Sequence, residues 1–221
     1  MKPMLFNTEM VKAIIEGRKT VTRRVLKEPF EIHSNGFITK PKGNERLCPY
    51  VPPFQIDDIL YVRETFAQVA KHIFWYRADD AEYTKSILWK PSIHMPKEAA
   101  RIFLKIKDVR VERLQDITEE QAKAEGIREY TKDGKLWKYA VTDDWWIEYH
   151  CKNRKYFSGS WWQDMPRTAK EAFRYLWNST LGRKDTPEYY GNCWTGNPYV
   201  WVIEFERITK EQAYELESKK A

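Results

Sequence analysis

Cysteine is scarce in this chain of 221 residues: it has three, Cys48, Cys151 and Cys193, far apart and without CxxC spacing. An odd number of separated cysteines argues against a disulfide framework and against a cysteine-based zinc site. No apolar run approaches the roughly 18 residues of a transmembrane helix, and the first residues contain no apolar segment typical of a secretory signal. We therefore expect a cytoplasmic protein with no membrane partner.

Several nucleotide-binding and catalytic motifs are also missing. The chain contains no GxGxxG, GxxxxGK[ST], HExxH or GxSxG pattern, and no internal repeat. These absences disfavour a dinucleotide-binding enzyme, a P-loop NTPase, a zinc protease and an α/β-hydrolase. We expect neither a bound metal nor a cofactor.

Basic residues are in excess, with a net charge of +6 and an isoelectric point near 9.0. The excess lies in residues 1–50 and 151–221, whereas residues 51–150 are slightly acidic. This distribution weakly favours an anionic partner such as nucleic acid, and is equally compatible with an ordinary soluble surface.

Aromatic residues make up 15% of the chain, and they concentrate in residues 128–165 among lysines and arginines. Interleaved rings and cations suit a single-stranded nucleic acid or a flipped base, although the same rings could form a satellite core. We predict that this segment folds as a cap beside a cleft. Some of its rings should pack inward, and at least one ring, from Trp145, Trp146, Trp161 or Trp162, is expected to face the cleft where a base could stack.

Hydrophobic periodicity and capping residues predict an α+β chain of short strands and helices. A helix is expected from Thr8 to Gly17, and a second from the Thr118–Gln121 capping box to Gly126. Further predictions are a loop at 28–55, strands at 59–66, 101–114 and 199–205, and helices at 168–182 and 209–218. A change of phase at Lys107–Asp108 predicts a bulge or bend. This order favours a small mixed or antiparallel barrel.

Four segments together resemble the ASCH domain family, and most closely its longer bacterial and prophage-type members. They are GRKTVTRR (17–24), DDILYVRE (57–64), VERLQDITEEQAKAEGI (111–127) and NPYVWVIEF (197–205). The resemblance covers residues 3–127 and 168–208 and leaves out an insertion at 128–167. It implies one PUA-like domain over 1–221, a small mixed β-barrel with helices flanking a cleft.

The resemblance also implies a site and a substrate class. One branch of the family hydrolyses the N4-acetyl group of acetylated cytidine, and its lysine, threonine and glutamate fall on Lys19, Thr22 and Glu125. A threonine hydroxyl needs a base to accept its proton, and either Lys19 serves as that base or Glu125 activates a water while Lys19 stabilises the oxyanion. The alternatives to an amidohydrolase are a non-catalytic reader of RNA or a modified base, and a ribonuclease using the same cleft.

Six further residues are predicted to bind the substrate, a nucleoside or single-stranded RNA. Four cations should flank the cleft and contact phosphate: Arg18, Arg23, Arg24 and Arg63. Glu64 follows Arg63 in the second family segment, and His94 lies in a proline-bounded loop that could line the cleft.

Overall fold

The secondary structure was taken from a computed structural model, which describes residues 1–27, 30–33, 38–42, 46–49, 52–79, 87–142, 144–147, 161–181 and 187–220. Its strands are β1 (Lys2–Leu5), β2 (Val21–Val25), β3 (Glu31–Ile32), β4 (Ile38–Lys42), β5 (Arg46–Pro49), β6 (Ile59–Arg63), β7 (Phe66–Ala70), β8 (Ile73–Tyr76), β9 (Phe103–Arg113), β10 (Arg128–Thr131), β11 (Trp137–Ala140) and β12 (Tyr199–Ile208). Its helices are α1 (Thr8–Ile15), α2 (Glu119–Ala124), α3 (144–147), α4 (Trp161–Asp164), α5 (Ala169–Thr180), α6 (Pro187–Asn192) and α7 (Lys210–Ser218). The chain is therefore mixed α+β, as predicted.

A five-stranded sheet in the order β1-β6-β9-β12-β2 forms the centre of the fold. β1 runs parallel to β6, and the other neighbours are antiparallel. The long strand β12 has consecutive buried residues, Val200 to Ile203, because both faces of the sheet are covered. The expected closed barrel is wrong for the described residues: β1 and β2 end the sheet on opposite sides without pairing to each other.

The change of hydrophobic phase in β9 corresponds to a β-bulge. β12 pairs Glu204 with Asp108 and Phe205 with Ile106, so Lys107 has no partner across the ladder. An extra residue on one strand reverses which side chains face the core, and this reversal produced the pattern seen in the sequence. The predicted bulge is confirmed.

The prediction of a loop at 28–55 is wrong in part, because β3, β4 and β5 form a separate three-stranded sheet there. Pro41 lies inside the middle strand β4, where a proline normally argues against a strand. β3, however, pairs only with Thr39 and Ile38, so Pro41 lies beyond its end and is paired on the β5 side alone.

Helix boundaries follow the capping residues closely. In α2, Thr118 Oγ1 accepts the Gln121 N–H at 3.2 Å and Gln121 Oε1 accepts the Thr118 N–H at 3.1 Å, which confirms the capping box. α1 differs from the prediction in its cap: Asn7 Oδ1 accepts the Met10 N–H at 2.9 Å, so Asn7 takes the position expected for Thr8. The described helices include none long and apolar enough to cross a membrane.

Gly126, which ends α2, is required by both conformation and space. Its φ is +106°, and a Cβ at this position would lie 3.0 Å from Ala13 Cβ in α1. We expect Gly126→Ala to destabilise the protein by about 1–3 kcal/mol, since an L side chain is strained at this φ. Urea unfolding of Gly126→Ala and Gly17→Ala provides the measurement.

Gly17 is the matched control, because its φ is +76° but a Cβ there would meet nothing within 4 Å. Gly17→Ala should therefore show strain without a clash and lose less stability. Equal losses in the two variants would show that the contact with Ala13 contributes nothing.

Candidate active site

Lys19 and Glu125 are brought together by the ends of two helices. Lys19 follows α1 in a short turn after Gly17, and its backbone N–H donates to Ala13 O at 3.0 Å. Glu125 is the C-cap of α2, and the two residues form an isolated antiparallel bridge. Because β2 begins only at Val21, the turn lets Lys19 and Thr22 reach the same pocket, which a regular strand would prevent.

The side chains of Lys19 and Glu125 form a buried ion pair, each residue being 3% exposed. Lys19 Nζ lies 2.6 Å from Glu125 Oε2 and also donates to Val21 O at 2.7 Å and to Glu125 O at 3.0 Å. Every proton of the ammonium group thus has an acceptor, which offsets part of the cost of burying the charge.

Arg23 holds the other oxygen of Glu125. Its NH1 donates to Glu125 Oε1 at 3.1 Å, and its NH2 donates to Gln121 Oε1 at 2.8 Å and to Glu112 Oε2 at 3.3 Å. The guanidinium is completely buried. Arg23 therefore neutralises protein carboxylates, and it is not available as the phosphate contact that the sequence predicted.

Burial lowers the pKa of Lys19 from its ordinary value. Desolvation is the largest cause, the neighbouring cations Arg24 and Arg23 act in the same direction, and Glu125 opposes them. The surroundings thus favour the neutral amine more than water does, which is the condition for a lysine to accept a proton.

Lys19, Thr22 and Glu125 all line one inner pocket of about 50 Å³. Thr22 is only 1% exposed, and its hydroxyl has no hydrogen-bond partner within the part of the chain that is described. The structure brings these three side chains to one pocket, with the direct contact running between Lys19 and Glu125.

A larger outer cleft of about 640 Å³ adjoins the inner pocket and shares lining residues with it. It lies where the sheet remains open, between the end of β1 and the edge strand β2. The C-terminal turn of α5 lines it as well, through Ser179 and Thr180. Arg24 spans the gap, since its NH2 donates to Leu5 O at 2.8 Å.

Two aromatic rings that the sequence analysis did not select line both cavities: Phe6 and Trp177. Trp177 Nε1 donates to Asn192 O at 2.8 Å, which fixes the indole. Phe6 packs edge-on against Phe205 at 6.3 Å between centroids. The sequence places Trp177 on the apolar stripe of α5, but it contains no signal that this stripe meets the end of β1.

Arg18 and Arg63 do not line the inner pocket or the outer cleft, contrary to the prediction. Arg18 bonds Glu16 at 2.6 Å and also the carbonyl of Gly126, across α1 and α2. Arg63 donates to the carbonyl of Ile93. Arg18 thus joins the turn after α1 to the end of α2, and Arg63 joins β6 to the turn that contains Ile93.

Glu64 and His94 are also absent from both linings. Glu64 accepts two hydrogen bonds from Arg101, at 2.9 and 3.0 Å, and is 1% exposed. Burial raises the pKa of Glu64, and Arg101 opposes that effect. His94 lies in an exposed turn whose earlier residues, Pro91 and Ser92, line the outer cleft.

Of the four tryptophans predicted to offer a ring to the cleft, Trp145, Trp146 and Trp162 belong instead to a small core. Trp146 is 1% exposed and packs with Ala140 and Met165, with Trp145 and Trp162 at the edge of the cluster. Tyr175 of α5 meets Trp146 at 5.1 Å. None of the described residues of the insertion lines either cavity, and the side chain of Trp161 lies outside the described part.

Among the described residues, no group of three or more histidine, cysteine or acidic side chains is placed to hold a metal ion. No family model matches the chain, and neither a curated protein nor a solved structure is found to be similar to it.

Proposed function

We propose that the protein is an ASCH-type amidohydrolase with a PUA-like ancestry, which removes a small acyl group from an N-acylated nucleobase. The observation that carries this proposal is the buried Lys19–Glu125 pair beside the unbonded Thr22 hydroxyl at the bottom of a cleft. The four sequence segments that resemble the family support the same assignment. The runner-up functions, a base reader and a ribonuclease, would use the same cavity.

Thr22 is the nucleophile in this proposal, and the neutral amine of Lys19 accepts its proton. Thr22 Oγ1 bonds to the acyl carbon while its proton moves to Lys19 Nζ. The carbon–nitrogen bond then breaks, and the proton passes from Lys19 to the departing amine of the base. Water afterwards hydrolyses the acyl-threonine ester and releases the carboxylic acid.

Glu125 is assigned a positioning role rather than the role of base. Both of its oxygens accept from cations, Oε2 from Lys19 and Oε1 from Arg23. Both oxygens are thus occupied by these cations, which assigns Glu125 to holding Lys19 and Arg23 in place. Burial and the neighbouring cations lower the pKa of Lys19, which increases the share of neutral amine able to accept the proton.

The walls of the cavities suit a planar ring carrying a small substituent. Phe6 and Trp177 offer apolar faces, and base–aromatic stacking contributes about 1–3 kcal/mol. The inner pocket of about 50 Å³ has room for an acetyl group but not for a second ring. We therefore assign the acyl group to the inner pocket and the base to the junction of the two cavities.

Incubation with N4-acetylcytidine, followed by chromatography, is the direct test. We expect equimolar cytidine and acetate, and turnover of the N4-benzoyl analogue at least about 10-fold slower because its ring does not fit the inner pocket. Glu64→Gln is the control, since Glu64 forms a buried ion pair but does not line either cavity, and its variant should keep this selectivity.

Other outcomes would contradict the proposal in distinguishable ways. Equal hydrolysis of both analogues would place the acyl group outside the inner pocket. Tight binding of unchanged N4-acetylcytidine would favour the reader, and cleavage of a labelled single-stranded RNA without deacetylation would favour the ribonuclease.

A further inference from the structure

Arg24 differs from the other cations of the site in its partners. It donates to two backbone carbonyls, Arg23 O at 3.2 Å and Leu5 O at 2.8 Å, and its Cζ lies 5.3 Å from the centre of the Phe6 ring. Among the described residues it has no carboxylate partner, in contrast to Lys19 and Arg23. Its side chain lines both the inner pocket and the outer cleft.

The charges around the cleft leave a positive excess that Arg24 increases. Lys19 and Arg23 share Glu125, and Glu112 is divided between Arg23 and Arg110, to which it is bound at 3.3 and 2.6 Å. Burial lowers the pKa of Arg24, and Glu125, which is already paired with Lys19 and Arg23, offsets this effect only in part. An anion entering the cleft would supply the remaining negative charge.

Polar groups suited to an ester of phosphoric acid surround Arg24. The outer cleft is lined by Asn7 and Thr8, whose side chains carry an amide N–H and a hydroxyl able to donate to a phosphate oxygen. Ser179 and Thr180 line it too, but their hydroxyls already donate to Leu176 O and Trp177 O, at 2.6 and 2.8 Å. Its volume of about 640 Å³ is within the range of small-molecule sites and far exceeds what an acyl group occupies. A ligand that reaches the inner pocket therefore leaves ample space beside Arg24 for a sugar and a phosphate.

We propose that the outer cleft binds a phosphate ester through Arg24, so that the substrate is a nucleotide rather than a free nucleoside. This inference rests on the proposed function for the identity of the base and extends it to the phosphate. The phosphate belongs either to a mononucleotide or to a nucleotide within a polynucleotide chain, since both present the same group.

Calorimetric titration of cytidine 5′-monophosphate and cytidine tests the inference without acyl chemistry. We expect the wild type to bind the monophosphate at least about 10-fold more tightly, as one charge-assisted hydrogen bond provides. Arg24→Met should weaken binding of the monophosphate far more than binding of cytidine and so abolish this preference, and Arg24→Lys should retain part of it. The preference should weaken as salt rises.

Arg113 provides a matched control, because it also donates to a backbone carbonyl, Asn197 O at 3.0 Å, and stacks on an aromatic ring, Tyr199 at 3.7 Å. It does not line either cavity, so Arg113→Met should keep the preference for the monophosphate. Thermal unfolding of both variants checks that they are folded.

Several results would overturn the inference. They are equal binding of cytidine and its monophosphate by the wild type, equal weakening of both by Arg24→Met, and no binding of either compound. A short single-stranded RNA that binds more tightly than the monophosphate, with the gain lost in Arg24→Met, would support the inference and identify a polynucleotide as the source. Deacetylation of N4-acetylcytidine without a phosphate preference would contradict this inference and leave the proposed function supported.

Discussion

Lys19→Arg is expected to lower kcat for N4-acetylcytidine hydrolysis by about 10²–10⁴-fold, the usual contribution of a positioned acid or base. Arginine keeps the positive charge that Glu125 requires but does not lose its proton, so it is unable to accept one from Thr22. Steady-state kinetics on folded protein provides the measurement. Thr22→Val, which removes the hydroxyl at nearly constant volume, should likewise abolish turnover.

Lys138→Arg is the matched control for this substitution. Lys138 is another buried lysine, and it donates to the carbonyls of Gln163 and Met165 at 3.0 and 2.7 Å, within the small core of the insertion. Its variant should lose stability without losing kcat per folded molecule. Substantial activity in Lys19→Arg would instead assign Lys19 to the oxyanion and leave Glu125 as the base.

The pH dependence of the wild type follows from the same assignment. Because burial lowers the pKa of Lys19, the neutral amine accumulates as pH rises through that pKa. The rate should therefore rise with pH, with the midpoint of the rise below the ordinary lysine pKa of 10.5. Any background hydrolysis that remains in Thr22→Val should not show this rise. The measurement is therefore the pH–rate profile of the wild type compared with that of Thr22→Val.

Glu125→Gln should destabilise the protein by about 3–5 kcal/mol, because it leaves Lys19 and Arg23 buried beside a neutral amide. Chemical denaturation measures this loss. Glu125 raises the pKa of Lys19, whereas desolvation lowers it. Removing the Glu125 charge should therefore move the rise of the pH–rate profile to lower pH.

Glu64→Gln is the control that separates the loss of stability from the shift of the pH–rate profile. Glu64 is a buried carboxylate paired with a partly buried arginine, Arg101, and its loss should also destabilise the protein. It lies outside both cavities, so the pH–rate profile should not move. A shift in Glu64→Gln, or none in Glu125→Gln, would contradict the role given to Glu125.

Features fixed by neighbours in sequence were predictable, while those fixed by distant packing were not. The Thr118–Gln121 box and the bulge at Lys107 depend on residues a few positions apart, and both were read from the chain. The small sheet of β3, β4 and β5 depends on pairing between short strands interrupted by proline, for which local patterns give little signal.

The site shows the same division. The family segments were enough to select Lys19, Thr22 and Glu125. The walls formed by Phe6 and Trp177 were not predictable, because they depend on α5 and the end of β1 lying at the same cavity. Composition also misassigned Trp146. Clustered rings and cations are compatible with a ligand surface or a core, and only the contact with Tyr175 decides between them.

The amide oxygen of Gln121 ties the start of α2 to the chemistry at its end. One atom accepts both the backbone N–H of Thr118 and the guanidinium of Arg23, which in turn holds Glu125. Fraying of the first turn would therefore release Arg23 as well. The first turn of α2 and the Glu125 carboxylate are therefore coupled through Arg23. A local opening that exposes α2 to hydrogen exchange should also disturb the Arg23–Glu125 contact.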